Sequence, residues 1–229
     1  MKSFLSFAAL LLALSLLTIA CQRDVSVNVN QDSIYTEYRL VYDAADDKTY
    51  ARATFSFGGV GGTNLELSEG PLVFFEGEAL AGRAIPAYYE RAYAGAMSAG
   101  QFAYRDLDGR SFVNEVLLAD SIDLPATLDT VPKGAAFPLA WVGAPLTAGE
   151  VVIVALNGPN EADAQVFTTE DVGATEIILD RDKLDQVATG TARISIERFR
   201  GQLLQDGPAE GGAIWGRYLS STREVELIE

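Results

Sequence analysis

The fold class rests on the stretch Ile34-Tyr35-Thr36-Glu37-Tyr38-Arg39-Leu40-Val41-Tyr42 and on its neighbour Thr49-Tyr50-Ala51-Arg52-Ala53-Thr54-Phe55-Ser56-Phe57. In the second stretch, small and apolar side chains alternate with polar or charged ones. This period of two is the pattern of a β-strand that buries one face. The polar segment Asp43–Lys48 lies between the two stretches and predicts a turn. The sequence therefore predicts two strands joined by a turn at the start of the body of the protein.

Similar strand signals continue to the C-terminus and are interrupted by turn signals at Glu76-Gly77 and Asp106-Leu107-Asp108-Gly109. Asp180–Val187 is the one helical fragment that we predict. Short strands with frequent turns are typical of a β-sandwich, so the predicted class is all-β. Further strands are expected at Leu65–Leu67, Leu72–Phe75, Phe102–Tyr104, Phe112–Leu118, Phe137–Trp141, Val151–Leu156, Gln165–Thr168, Thr175–Leu179, Ala192–Phe199, Ile214–Leu219 and Glu224–Ile228.

The predicted strands form two series, separated by the Pro- and Asp-containing stretch Ala119–Lys133. We therefore expect two β-sandwich domains, at residues 34–120 and 121–229. Each has about 100 residues, which is enough for an independent core. The polar residues 21–33 are expected to form a tether before the first domain, although the alternation of Val25, Val27 and Val29 with polar residues also allows a short first strand there.

Composition excludes several functional classes. The 229 residues include 17 Lys and Arg, 32 Asp and Glu, one Cys and no His, for a net charge of −15. Without histidine there is no Ser-His-Asp triad, Cys-His dyad or His-ligated zinc site. A pI near 4.3 opposes binding to nucleic acid, which needs clustered Lys and Arg. No motif indicates a cofactor, so none is predicted.

The N-terminus has the features of a secretory signal over residues 1–20, with Lys2 before the apolar run Phe4–Ala20. The following Leu17-Thr18-Ile19-Ala20-Cys21 resembles the lipobox of bacterial lipoproteins, although Thr18 stands where that family usually has Leu. The resemblance implies a diacylglycerol thioether on Cys21. It also implies anchoring in the bacterial cell envelope, where we expect the outer membrane, on its periplasmic or surface face. The alternatives are a soluble secreted protein and an uncleaved anchor.

The second half of the chain carries a fold-level resemblance. Phe137-Pro138-Leu139-Ala140-Trp141 ends an early strand with Trp, and Asp182-Lys183-Leu184 leads to Gly190-Thr191-Ala192-Arg193-Ile194-Ser195-Ile196. These features are similar to bacterial Ig-like and fibronectin-III-like domains, over about residues 121–229. The first half is generically Ig-like. The resemblance implies two tandem Ig-like β-sandwiches with a core Trp141, and it implies no chemistry.

Five residues are candidates for contact with an envelope protein or a glycan. Tyr88, Tyr89, Arg91 and Tyr93 form a run of the residue types that are enriched at binding surfaces. Trp215 is the fifth, because the glycines around it can let a sugar ring approach. For all five, the alternative interpretation is structural packing.

Three carboxylates, Asp106, Asp108 and Glu115, could meet across a hairpin and are the candidate ligands for calcium. Asp and Gly also form tight turns for conformational reasons, and the EF-hand spacing does not fit. No metal site is predicted.

The sequence thus predicts a non-catalytic, lipid-anchored envelope protein that acts in adhesion, binding or assembly through its loops. One alternative is a glycan-binding accessory lipoprotein. A second is a hydrolase that uses a pair of carboxylates, although no motif marks such a pair.

Overall fold

A computed structural model of the chain describes residues 23–67, 72–83, 88–160 and 162–229. The predicted signal peptide over 1–20 and Cys21 lie outside the described residues. Within these ranges the chain is nearly all β, which confirms the predicted class. The described helices include none that is long and apolar enough to cross a membrane.

The first half begins with a short strand and two 3₁₀ turns, at Ser26–Asn28 and Gln31–Ser33. Its strands are β1 (Arg23–Val25), β2 (Ile34–Asp43), β3 (Lys48–Phe57), β4 (Thr63–Glu66), β5 (Leu72–Phe75), β6 (Glu78–Ala79), β7 (Ala81–Arg83), β8 (Tyr88–Ala94), β9 (Ala99–Arg105) and β10 (Ser111–Leu117). The second half contains the helix α1 (Arg181–Leu184). Its strands are β11 (Ile122–Asp123), β12 (Thr130–Pro132), β13 (Phe137–Ala140), β14 (Val142–Gly143), β15 (Glu150–Asn157), β16 (Ala164–Thr169), β17 (Glu176–Leu179), β18 (Gly190–Gln202), β19 (Gly212–Leu219) and β20 (Arg223–Ile228).

The first core lies between two sheets that pack face to face. One sheet contains the antiparallel pair β2 and β3, and the other has the order β10-β9-β5-β6. The ring of Tyr38 stacks on Phe102 at 4.9 Å, and Phe55 contacts Tyr104 at 4.7 Å between centroids. Since alternate residues of β2 and β3 are buried here, the period of two in the sequence is explained by burial on one face.

The second core lies between the sheet strands β15, β18 and β20 and the smaller pair β13–β17. Trp141 is part of this core and is 7% exposed, as the resemblance implied. Leu184 of α1 and the following Val187 are also buried in it. The second half therefore has the sandwich arrangement that its sequence predicted.

One strand connects the two halves into a continuous sheet. Strand β19 pairs antiparallel with β18 and parallel with β2, from Gly212↔Thr36 to Leu219↔Asp43. Ile214 of β19 lies in the first core, although the other buried residues of that core come from residues 34–118. The division at residue 121 predicted from the sequence assigned this strand to the second half alone.

The connection between β18 and β19 also covers the edge of β10. The backbone N–H groups of Glu115 and Leu117 donate to the side-chain oxygens of Gln205 (2.6 Å) and Gln202 (2.8 Å). The buried Asn114 donates to the backbone oxygen of Asp206 (2.8 Å). These side chains bond to backbone groups at the edge of β10, which would otherwise be free to pair with another strand.

The described part of the predicted tether lies against the body of the protein. Strand β1 pairs in parallel with β4. The buried Gln31 donates from Nε2 to the oxygen of Ser26 (2.8 Å), and Asp32 forms an ion pair with Arg110 (2.5 Å). Residues 23–33 therefore have fixed contacts, and the predicted boundaries of the tether remain a prediction.

Candidate functional site

The continuous sheet presents an outward face centred on Trp215. Register places Arg52, Arg39, Trp215 and Gly201 in one row across β3, β2, β19 and β18. The opposite faces of β2 and β3 are buried in the first core, so these outward side chains are available to solvent. We define the Trp215 face as Tyr35, Glu37, Arg39, Arg52, Phe199, Trp215 and Arg217.

Trp215 is 37% exposed, so its indole is partly open to solvent. Its ring lies against Gly201 of the neighbouring strand, where a Cβ would come within 3.2 Å of Cζ3. A Cβ at this distance is tighter than an ordinary contact, so any larger residue here would require the ring to shift by a few tenths of an ångström. The glycine therefore lets a large aromatic side chain lie close to the sheet surface.

Two shallow pockets flank Trp215, and both are lined by Trp215 and Glu37. The first has a volume of about 310 Å³ and is also lined by Arg39, Arg52, Val41, Phe199 and Arg217. The second has a volume of about 250 Å³, and its polar lining comes from Tyr35, Thr54, Ser56 and Asn64. Trp215 and Glu37 thus lie at the border between an arginine-lined pocket and one lined by hydroxyl and amide groups.

Three ion pairs hold the arginines of the face in place. The Arg39–Glu37 and Arg52–Glu90 distances are 2.7 and 2.6 Å. In every pair the arginine side chain is at least twice as exposed as its glutamate. The three pairs are Arg39–Glu37 (50% and 24%), Arg52–Glu90 (36% and 10%) and Arg217–Glu197 (32% and 15%).

Aromatic rings add further support to two of these arginines. The guanidinium carbon of Arg52 lies 5.1 Å from the ring centroid of Tyr50 and 5.7 Å from that of Tyr88. Arg217 lies 5.0 Å from the ring of Phe199. Cation–π contacts of this kind limit side-chain motion, so the donors of the face are pre-positioned.

The tyrosine run forms strand β8, which pairs with β3. The ring of Tyr89 contacts Phe55 at 5.8 Å, its hydroxyl accepts from the N–H of Leu67 (2.7 Å), and burial raises its pKa. Tyr93 contacts Phe75 at 5.5 Å and donates to its backbone oxygen (3.3 Å). Both tyrosines thus pack against the first core.

The other two members of the run lie apart from that packing. Tyr88 approaches Arg52 on the side of the Trp215 face, and Arg91 forms an exposed ion pair with Glu78 (2.8 Å). The structure therefore associates only Tyr88 with Trp215. A contact role for the run remains a prediction.

The acidic hairpin is held by an internal ion pair. Asp106 is 2% exposed, and its two carboxylate oxygens accept from the backbone N–H (2.8 Å) and Nε (2.7 Å) of Arg110. Asp108 is exposed, and Glu115 lies on β10. In the ranges that the structure describes, no three His, Cys, Asp or Glu side chains are grouped closely enough to hold a metal ion.

The sequence names Trp215 as a candidate contact residue but does not point to the arginines beside it. The alternation of β2 and β3 does place Arg39 and Arg52 on one face. Bringing them beside Trp215 and Arg217 requires the pairing of β2 with β19, which joins residues far apart in the chain. No local pattern signals such a pairing.

Comparisons with known proteins give neighbours in structure only. No protein-family model matches the chain, and no curated protein matches it. The chain is similar to the FN1-FN3 domains of chicken CNTN1, with a TM-score of 0.29 and 11% identity over 84% of this chain and 65% of that structure. It is also similar to part of a 1.5-MDa bacterial ice-binding adhesin, with a TM-score of 0.25 and 10% identity over 85% of this chain. The chain spans 65% of the length of each of these two structures.

Proposed function

We propose that the chain is a non-catalytic, lipid-anchored protein of the bacterial cell envelope that binds an envelope component through the Trp215 face. The observation that carries the proposal is the position of Trp215, partly exposed between two pockets and flanked by arginines that are more exposed than their acidic partners. Aromatic and arginine side chains supply much of the energy at protein interfaces. The proposed binding surface is thus on the sheet, whereas the sequence predicts binding through the loops.

The rigidity of this surface favours binding. Each side chain of the face stands on a strand that is paired on both sides, and ion pairs hold its arginines. A surface that is ordered before binding loses less conformational entropy on association. This favours a constitutive contact surface for adhesion or assembly.

The pocket chemistry does not favour the hydrolase alternative. A glycosidase-type mechanism uses two carboxyl groups on either side of the bond that breaks. Among the described residues that line the two pockets, Glu37 is the only carboxylate, and it is ion-paired with Arg39. We therefore assign the face to binding.

In-cell photo-crosslinking tests the binding surface. A photoreactive amino acid replaces Tyr35 on the Trp215 face or, as the matched control, Tyr93, which packs against the first core. We expect adducts from position 35 and few from position 93. Adducts from position 93 alone would assign the interface to the tyrosine run.

The lipid anchor is tested separately. We expect Cys21→Ser to move the protein out of the membrane fraction and to remove the acyl mass from its N-terminal peptide. An unmodified wild-type N-terminal peptide would contradict lipidation without affecting the proposal about the face.

A second candidate function is glycan binding, and the second pocket favours it. Thr54, Ser56 and Asn64 offer hydroxyl and amide groups there, beside an aromatic ring on which a sugar can stack. Comparing wild type and Trp215→Ala on a polysaccharide panel tests this function. Identical profiles for the two proteins would count against it.

A further inference from the structure

The first pocket gathers the arginines of the face in an acidic protein. Its described lining contains Arg39, Arg52 and Arg217 with Glu37, and Glu90 and Glu197 pair with two of these arginines from outside the lining. Three arginines thus meet three glutamates here, in a chain whose net charge is −15. A polyanion is repelled by most of such a surface. An anionic group is therefore repelled less at this pocket than the net charge of the chain implies, and it meets the arginines before their less exposed glutamates.

The arginines keep donors available after their ion pairs are made. Arg52 donates to Glu90 from Nε, and no described residue accepts from its two terminal nitrogens. Arg39 and Arg217 each use Nε and one terminal nitrogen for their glutamates, which leaves the other terminal nitrogen without a described acceptor. A guanidinium group presents five N–H donors in a fork that fits carboxylates and similar oxyanions.

The second pocket has uncharged polar groups, so it suits a different part of a ligand that also reaches the first pocket. Its polar lining of Tyr35, Thr54, Ser56 and Asn64 is uncharged, and Glu37 is the only charged residue among its described lining. Hydroxyl and amide groups exchange hydrogen bonds with the hydroxyls of a sugar. A ligand that spans both pockets therefore combines an anionic group, a ring that can lie on Trp215 and several hydroxyl groups.

We propose that the Trp215 face binds an acidic polysaccharide whose sugar units carry carboxylates. One carboxylate lies among Arg39, Arg52 and Arg217, a sugar ring packs on Trp215, and the hydroxyls of the adjoining unit enter the second pocket. This inference rests on the proposed function and specifies its ligand class. An acidic peptide would use the arginines but would leave the hydroxyl-lined pocket without matching groups.

The test measures the affinity of the full-length protein in detergent micelles for three acidic polysaccharides: polygalacturonate, alginate and hyaluronate. Methyl-esterified polygalacturonate, which keeps the sugar backbone and loses the charge, is the matched ligand control. We expect at least one acidic polymer to bind. For polygalacturonate, binding should weaken by about tenfold or more on esterification, because charge-assisted hydrogen bonds are lost.

Protein variants locate the site. We expect Trp215→Ala and Arg217→Gln each to weaken binding by about tenfold or more, since each removes a main contact. Arg181→Gln is the matched control, because Arg181 forms an ion pair with Asp185 outside the face. It should bind like wild type, and thermal melting checks that each variant is folded.

Three results would overturn the inference. Equal affinity for polygalacturonate and its methyl ester would remove the role of the carboxylate. Binding of polyglutamate with the same affinity, and with no effect of Trp215→Ala, would reduce the interaction to charge. If none of the three polymers binds, acidic polysaccharides are not the ligand class of the face. Crosslinking from position 35 would still test separately whether the face binds a partner.

Discussion

The indole of Trp215 lies directly against Gly201 of the neighbouring strand, and the two residues are partners in the register of β19 with β18. A Cβ at Gly201 would lie 3.2 Å from Cζ3, so the ring occupies space that a side chain at this position would also need. Gly201 thus affects the ring of Trp215 although it is not among the described residues that line the two pockets.

Gly201→Ala should displace the Trp215 ring, because the new Cβ would lie 3.2 Å from Cζ3. We expect the tryptophan emission spectrum of this variant to shift. We also expect fewer photo-crosslinked adducts from position 35. In a Trp215→Ala background the same glycine substitution should leave emission unchanged. A spectrum of the single variant that is identical to wild type would contradict the proposed contact.

A second relationship joins two charges inside the second half. Glu150 and Arg198 are 2% and 0% exposed and hydrogen-bond to each other. Arg198 also donates to the backbone oxygens of Ala144 (2.9 Å) and Pro145 (2.8 Å). Arg200 donates to Glu150 (2.8 Å), so the carboxylate is held between two arginines.

Glu150→Gln should destabilise the fold by about 3–5 kcal/mol, because it leaves the buried Arg198 charge without compensation. Urea denaturation at neutral pH measures the loss. Arg181→Gln removes an exposed ion pair and should leave the midpoint nearly unchanged. Wild-type stability in the Glu150→Gln variant would show that the buried pair does not contribute.

The same carboxylate predicts a dependence of stability on pH. Burial alone would raise the pKa of Glu150, but hydrogen bonds from Arg198 and Thr147 outweigh it and lower the pKa from 4.5 to about 2. Because the folded-state pKa is the lower one, its stabilisation is present above pH 4.5 and is lost as the pH falls towards 2. The stability difference between wild type and Glu150→Gln should therefore shrink over this interval. A stability difference that does not change with pH would mean that the loss in the variant comes from packing and not from the charge of Glu150.

Asn114 supplies part of the contact between the two halves. Its side-chain oxygen accepts from the N–H groups of Gln205 (2.9 Å) and Asp206 (3.0 Å). We expect Asn114→Ala to cost about 2–4 kcal/mol, because buried polar groups lose their partners. Hydrogen exchange should also accelerate at residues 202–206. Gln165→Ala is the control, since the side chain of Gln165 has a single hydrogen bond among the described residues, to Gln186 (3.3 Å).

Much of the fold could be predicted from local pattern. The strands at Leu72–Phe75 and Ile34–Asp43 were found to within one residue, because one buried face leaves a period of two in the sequence. Helix α1 was found as a short fragment for a similar reason, since Leu184 and Val187 are buried together. The core position of Trp141 followed from the resemblance.

What could not be predicted depends on pairing between distant segments. The sequence does not predict strand β8, because the tyrosine run shows no regular alternation of buried and exposed positions. Pairing of β19 with β2 has no sequence signal, so the cluster of Arg39, Arg52 and Arg217 around Trp215 was missed. Site residues that come from different strands become visible only in three dimensions.

The measurement that tests the central claim most directly is hydroxyl-radical footprinting of Trp215, in intact cells and in the purified full-length protein. Trp215 is 37% exposed, while Leu203 (88%) and Val172 (70%) lie outside the Trp215 face and serve as exposed references. We predict that oxidation of Trp215 falls several-fold in cells relative to these references, because a partner covers the face. Equal oxidation of Trp215 in cells and in the purified protein, with protection at another surface, would contradict the account.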